Sequence, residues 1–336
     1  MSKGEQTARA AGSGSETAPR IPSDTPRKAT RQAYGETLRE LVQEGFDLVA
    51  VDADLSASTT TAKFGEAYPE RFFNVGIAEQ NMVGVASGLS LTGKTAFTGS
   101  FAIFGTGRAY DQIRNTACYS NLNVVIAPTH AGISVGADGG SHQMLEDIAL
   151  MRVLPRMRVL VPADYLSAKA ALRIAAETGG PFYVRLGRAP VAQIYERTDG
   201  FAVGRARVLR EGSDVSLIAC GTEVEQALAA ADLLAESGVS AEVIDAFCLK
   251  PLDEETLRRS IAKTGAAVSC EEHSVIGGLG AALATLLAEH PGILKKPLRR
   301  VGVQDSFGVS GQIDELFAKY GLDARYIHDC VVECLS

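Results

Sequence analysis

Short β-branched runs alternate with longer stretches whose apolar residues recur every three or four positions, and this happens twice along the chain. "DLVAVDADL" (47–55), "NVVIAPTH" (123–130), "RVLVPA" (158–163) and "PFYVRL" (181–186) read as buried strands. "EQNMVGVASGLSLTG", "RAYDQIRNTACYS" and "YLSAKAALRIAAET" carry helical spacing between them. Strands separated by helices must run parallel, with helices covering both faces of the sheet. The alternation stops across "LGRAPVAQIYERTDGFAVG" (186–204), where Pro and Gly fall without a period. It then resumes through "DVSLIACGT", "EVEQALAAADLLAESG", "SAEVIDAF", a helix over 253–263, "AAVSCEEH", "GLGAALATLLAEH" and "LRRVGVQ". The expected fold is therefore α/β, with two doubly wound domains at 31–190 and 205–336 and a linker at 191–204.

The 336 residues suffice for two such domains, and a 46% hydrophobic content can fill their cores. A formal net charge of −7 argues against nucleic-acid or anionic-membrane partners, which call for clustered Lys and Arg. No apolar run is long enough to span a bilayer. Residues 1–30 are rich in Ala, Gly, Ser, Thr and Pro and read as a disordered tail. They hold no apolar block that would mark a secretory signal, and Glu5, Glu16 and Asp24 speak against a transit peptide. Six scattered cysteines without a C-x-x-C pair fit reduced thiols and a cytoplasmic protein. The spacing in "CVVEC" at the C-terminus is by itself a poor metal signal.

Ligands collect at the carboxyl ends of parallel strands, so polar residues there carry weight. Asp54 and Ser58 follow the first strand, His130 ends another, and Arg185 and Arg188 end "PFYVRL". After His130 comes "AGISVGADGGSHQ", a Gly-rich loop with Asp138 and His142. A lone histidine is usually a satisfied structural residue. Two histidines and an aspartate converging at strand ends point instead to a site. The loop has no metal-ligand spacing, and no dinucleotide fingerprint, nucleophile elbow or Walker motif occurs. Phe101 and Phe104, in "GSFAIFGTG", suit either a core or the face of a flat heterocycle. Glu79, in "GIAEQN", stands among small and apolar residues, where a carboxylate needs a partner.

Taken together, "FFNVGIAEQNMVGVASGLSLTGK", "GSFAIFGTGRAYDQIRN", "THAGISVGADGGSHQMLEDIALMRVLPRMRVLVPAD" and "CEEHSVIGGLGAAL" resemble the thiamine-diphosphate enzymes of the transketolase family. The likeness runs from about residue 30 to the C-terminus and covers a pyrimidine-binding domain and the family's C-terminal domain. It implies that Glu79 hydrogen-bonds the cofactor's aminopyrimidine ring. A carboxyl removed from water can share a proton with a ring nitrogen. It also implies that Phe101 and Phe104 pack on that ring, with Gly107 standing where a third aromatic is usual, and that Asp54 lies near the cofactor. His142 would meet the donor's hydroxyl and carbonyl end, and Asp138 a sugar hydroxyl. Arg31, Ser58, a cationic His130 and either Arg188 or Arg185 would hold the sugar phosphate, with Arg188 the better match. Glu79, His142 and His130 form the implied catalytic set.

The family's G-D-G…N signature, which binds Mg²⁺ and the diphosphate, does not occur. The resemblance thus implies the C-terminal half of a split transketolase. Such a subunit would be inactive by itself and would join an N-terminal subunit in an α2β2 heterotetramer to move a two-carbon ketol unit from a ketose phosphate to an aldose. The alternatives are the β subunit of a 2-oxoacid dehydrogenase, a deoxyxylulose-phosphate-synthase-like enzyme and a non-catalytic homologue. The phosphate set opposes the first, the "TH…SHQ" pair the second, and retention of Glu79, His130, Asp138 and His142 the third.

Overall fold

The structure is a computed structural model that describes residues 21–22 and 24–336. The expected tail, 1–30, lies mostly outside these residues, but its last part is built into the fold. Arg27–Ala29 is a strand paired antiparallel with Pro190–Ala192.

Both expected α/β sheets are present. The first has seven strands in the order Cys248–Lys250, Arg158–Leu160, Phe182–Val184, Val124–Ile126, Thr95–Gly99, Leu48–Asp52 and Phe72–Asn74. The second has five, in the order Arg299–Val303, Ala267–Ser274, Val215–Ala219, Ala241–Asp245 and Arg207–Arg210. Pairing is parallel except at Cys248–Lys250 and at Arg207–Arg210. Each of the five residues of Leu48–Asp52 is buried, as expected for a central strand covered on both faces.

The domain division is less clean than the sequence suggests. Cys248–Lys250 belongs to the second half of the chain yet forms an edge of the first sheet. The linker is also pinned. Tyr195 Oη donates to Asp245 Oδ2 at 2.6 Å, and Phe201 packs between Tyr195 and Phe247.

One helix shows how local chemistry and long-range packing meet. Tyr165–Thr178 starts where the Asp164 carboxylate accepts the Ser167 N–H at 2.8 Å and the Ser167 hydroxyl accepts the Asp164 N–H. It ends at Gly179, whose φ of +70° an L side chain resists. Ala168, Ala171, Leu172 and Ala175 form its buried face against the sheet. The second oxygen of Asp164 accepts the N–H groups of Ile194 and Tyr195, both at 2.9 Å, so one carboxylate caps a helix and anchors the linker.

"RAYDQIRNTACYS" departs from the regular helix its spacing suggests. Ile103–Arg108 and Ile113–Cys118 are π-helical turns around the short α-helix Tyr110–Gln112. The Thr106 hydroxyl donates to the Ala102 carbonyl at 2.6 Å, taking a bond that the backbone would otherwise make. Gly105 and Gly107 leave the widened turn unopposed.

Asp164→Ala removes the cap and leaves the Ile194 and Tyr195 N–H groups without their acceptor. We expect a loss of about 2–4 kcal/mol in the first denaturant transition. A loss under about 1 kcal/mol would mean that the linker is held by other contacts.

Candidate active site

Glu79 is the first residue of the helix Glu79–Ser90, where a negative charge meets the positive end of the helix dipole. Its side chain is 2% exposed. Both oxygens accept from Arg108 Nη1, at 2.9 and 3.0 Å. Arg108 is half exposed and lies over the Phe104 ring, 4.6 Å from its centroid. The carboxylate thus has its partner on the solvent side. No heavy atom outside its immediate chain neighbours lies within 4 Å of a side-chain position at Gly107, so the place of the missing third aromatic is open.

Phe101 and Phe104 sit 6.2 Å apart in near-parallel planes. Phe101 is buried, with His130 stacked on it at 3.7 Å. Phe104 is the more accessible ring, and the His142 edge meets it at 5.4 Å. A cofactor ring arriving from solvent therefore reaches Phe104 before Phe101.

His130 is buried and holds a left-handed φ of +60°. One ring nitrogen, Nδ1, is 2.7 Å from Thr129 Oγ1, and the other, Nε2, is 3.4 Å from Arg31 Nη1. Arginine only donates, so Nε2 accepts and Nδ1 carries the proton toward the threonine. Burial, then Arg31, Arg188 and His142, push the imidazole down to about 3. This corrects the expectation of a cationic His130. In the chain as it stands the residue is neutral.

Arg31 Nη1 donates to the Ser58 carbonyl at 2.7 Å, so Ser58 meets Arg31 through its backbone. The Thr60 hydroxyl returns to the Arg31 carbonyl at 2.8 Å. Asp52, which sequence reasoning passed over, accepts from Leu55 N and from the hydroxyls of Thr59 and Thr61, and so shapes this turn. Asp54 is exposed at φ +65° and accepts from Asn74 at 3.4 Å.

Arg188 is half exposed, donates to the Val135 carbonyl and lies 3.8 Å from Asp138. With Arg31, Gly136, Gly311 and Gln312 it lines a cavity of about 320 Å³. Arg185 faces inward. It is 6% exposed, is bound twice to Asp147 at 2.7 and 3.3 Å, and donates to the Glu272 carbonyl at 2.9 Å. Buried and committed to Asp147 and the Glu272 carbonyl, Arg185 does not face the cavity that Arg188 lines, which corrects its place in the expected phosphate set. Asp138 is exposed and His142 half-buried, the latter 3.0 Å from Ser141 Oγ.

Besides Asp52, the sequence reading gave no role to Arg108 or, in the second domain, to Glu272 and Gln312. For Glu272 a signal existed, since paired acids in the apolar run "AAVSCEEH" demand buried partners.

The profile of the transketolase pyrimidine-binding domain matches residues 27–193, and that of the transketolase C-terminal domain matches 204–327. The chain belongs to the transketolase family. It is 48% identical to a putative transketolase C-terminal section from Methanocaldococcus jannaschii, over 91% of this chain and 96% of that one. It is 43% identical to a 6-deoxy-6-sulfo-D-fructose transketolase subunit from Clostridium sp. strain MSTE9, over 88% and 91%. A solved structure described as a split gene transketolase, inactive β4 tetramer, superposes with a TM-score of 0.83 at 50% identity, covering 91% of this chain and 98% of that one. Among the described residues no group of three or more His, Cys, Asp and Glu is arranged to hold a metal, and no helix is long and apolar enough to cross a membrane.

His130 stays neutral in the folded chain, whereas the unfolded chain takes up its proton near the usual histidine value of about 6.5. Its contribution to stability is therefore present above that value and is lost as pH falls toward about 3. Nitrogen-detected NMR of the imidazoles should show His130 neutral at pH 5. A midpoint near 6.5 for this ring would contradict the buried geometry.

Proposed function

We propose that this chain is the pyrimidine-side subunit of a split transketolase, which acts with a separate subunit that binds Mg²⁺ and the diphosphate. The observation that carries this reading is Glu79: a carboxylate 2% exposed, at a helix start, that accepts from the solvent-side Arg108 beside an accessible aromatic ring. These residues fit the aminopyrimidine end of thiamine diphosphate. The carboxylate supplies a buried oxygen to a ring nitrogen, Phe104 supplies a face, and the gap at Gly107 leaves room. When bound, the cofactor supplies an electron sink for breaking the carbon–carbon bond next to a ketone.

The chain's own residues then do the rest. Glu79 holds or releases a proton at its carboxylate oxygens, and Arg108, being half exposed, is free to move aside. His142 and Asp138 orient the hydroxyls of the donor, which is a ketose phosphate in this reading. Arg31 and Arg188 face its phosphate across their shared cavity. A dianion bound there also favours a proton on His130, so the neutral ring becomes a third donor on binding. Relatives named as a section, a subunit and a split-gene product support the divided architecture. An α2β2 assembly in the cytoplasm remains the expectation, with the diphosphate and Mg²⁺ on the partner's side.

Mixing this chain with a partner that supplies the G-D-G…N half, Mg²⁺ and cofactor should produce ketol transfer that neither chain gives by itself, in a particle with the mass of four chains by light scattering. In that mixture Glu79→Gln should lower kcat by about two orders of magnitude or more while assembly survives. A near-normal kcat would remove Glu79 from the chemistry.

The two arginines separate cleanly. Arg188→Ala or Arg31→Ala should raise KM for ketose phosphates by about 1.5–3 kcal/mol, roughly 10- to 150-fold, and leave hydroxypyruvate nearly unaffected. Arg185→Ala strands a buried carboxylate and should instead lower stability by about 3–5 kcal/mol. Equal effects of Arg188→Ala on both donors would make that arginine structural as well.

A further inference from the structure

The loop 131–143 carries Asp138 and His142 and is held from both domains. In its own domain Ala131 N–H donates to the Leu186 carbonyl at 3.2 Å, Gly132 N–H donates to the Met144 carbonyl at 2.9 Å, and Arg188 donates to the Val135 carbonyl. Two contacts with the second domain then set its interior.

The first is Glu272, on the strand Ala267–Ser274 and 1% exposed. One oxygen accepts the Ser134 N–H, and the other accepts the Thr222 hydroxyl at 2.6 Å. Gly132, at φ +86°, passes so close that a Cβ there would lie 2.4 Å from the carboxyl. The second is Gln143. Its amide nitrogen reaches three carbonyls: Val309 at 3.0 Å in the second domain, and Ile133 at 3.1 Å and Gly136 at 3.3 Å in the loop. Around it, glycines interlock. A Cβ on Gly308 would lie 1.8 Å from Gln143 Oε1, and one on Gly140 would lie 2.4 Å from the Gly308 carbonyl. The opposing segment is braced in turn by Tyr320 Oη, which donates to the Phe307 carbonyl at 2.9 Å.

We propose that the C-terminal domain is the template for the donor-binding loop, and that Glu272 and Gln143 are positioning residues that set Asp138 and His142. The assignment of the loop to the donor rests on the functional reading above; the templating itself does not. A free loop with glycines at 132, 136, 139 and 140 samples many conformations. A buried carboxylate with two donors, and a buried amide with three acceptors, leave it few. Substrate-contacting groups must be held to within about 0.5 Å to be useful, so such supports act on binding without touching substrate.

Hydrogen exchange on the purified chain tests the template directly. Glu272→Gln replaces an acceptor by a donor facing Ser134 N–H or Thr222. Gly308→Ala wedges the second contact and leaves the buried carboxylate untouched, so it stands in if the first variant does not fold. Either should speed amide exchange across 132–143 by about tenfold or more, with the strands of both sheets unchanged. Wild-type exchange in that segment in both variants would overturn the proposal.

In the reconstituted two-subunit enzyme, Gly308→Ala should raise KM for the donor by about tenfold and leave KM for the acceptor within about twofold. A uniform loss of kcat at unchanged donor KM would overturn the positioning role. Lys250→Gln is the control, because Lys250 also joins the halves, donating to the carbonyls of Arg152 and Leu154 far from the loop. It should leave donor KM alone. If wild-type enzyme transfers no ketol unit from any donor, the functional reading fails, and the exchange data still decide the template.

Discussion

Arg185 is the joint on which both halves of the molecule depend. It leaves the strand Phe182–Val184, binds Asp147 at the first turn of the helix Asp147–Val153, and donates to the Glu272 carbonyl in the second domain. The Tyr183 hydroxyl donates to the same carboxylate. Burial alone would raise the Asp147 carboxyl, but Arg185, His273 and the Tyr183 hydroxyl together more than offset this and hold it below the ordinary carboxylate range. A buried ion pair repays its desolvation only with good geometry and extra hydrogen bonds, and this one has both. Its consequence is directional. With the Glu272 backbone fixed, the Glu272 side chain points at Ser134 and therefore at the loop that carries Asp138 and His142.

Several buried carboxylates in this protein are tied to the main chain. Asp52, Asp164, Glu271 and Glu272 each accept backbone N–H groups and so pin a turn, a linker, a helix start or a loop. Burial still pushes Glu271 up to about 7, against the pull of the Gly280 and Leu279 N–H groups. Glu79 is different. It is as deeply buried, but it accepts from one half-exposed guanidinium. That half-exposed partner sets Glu79 apart from the carboxylates tied to the main chain.

The sequence reading succeeded where local rules governed. The helix Tyr165–Thr178 was legible because Asp164 caps it, Gly179 stops it and alanines mark its buried face. Asp54, Ser58, His130, Asp138 and His142 were singled out because parallel sheets bring polar strand ends together, whereas Glu79 and Phe104 took their roles from the family resemblance. It failed where the outcome turned on direction or distance. Arg185 and Arg188 leave the same strand end three residues apart, and no propensity says which turns inward. The neutral state of His130 in the chain as it stands was not legible, because its 2% exposure is a tertiary fact. Nothing local marks Arg108 as the partner of a buried carboxylate, since its side chain is half exposed. Gly308 and Gln143 are 165 positions apart, and only the packed domains show that one fits against the other.

Arg108 also explains how a half-site can exist by itself. A carboxylate placed in a dry pocket with no counter-charge costs several kcal/mol or takes up a proton. The chain meets this constraint with its own arginine, reaching in from solvent and resting its planar group on Phe104. The pair neutralises the carboxylate within the chain, and its arginine stays half exposed. The cationic side of the cleft follows a similar logic: Arg31 and Arg188 are satisfied by the carbonyls of Ser58 and Val135, with Asp138 nearby. Both ends of the site therefore rest in a closed, internally paired state whose partners are exchangeable. The divided enzyme proposed above would need this, because a chain that folds by itself must satisfy its buried charges by itself.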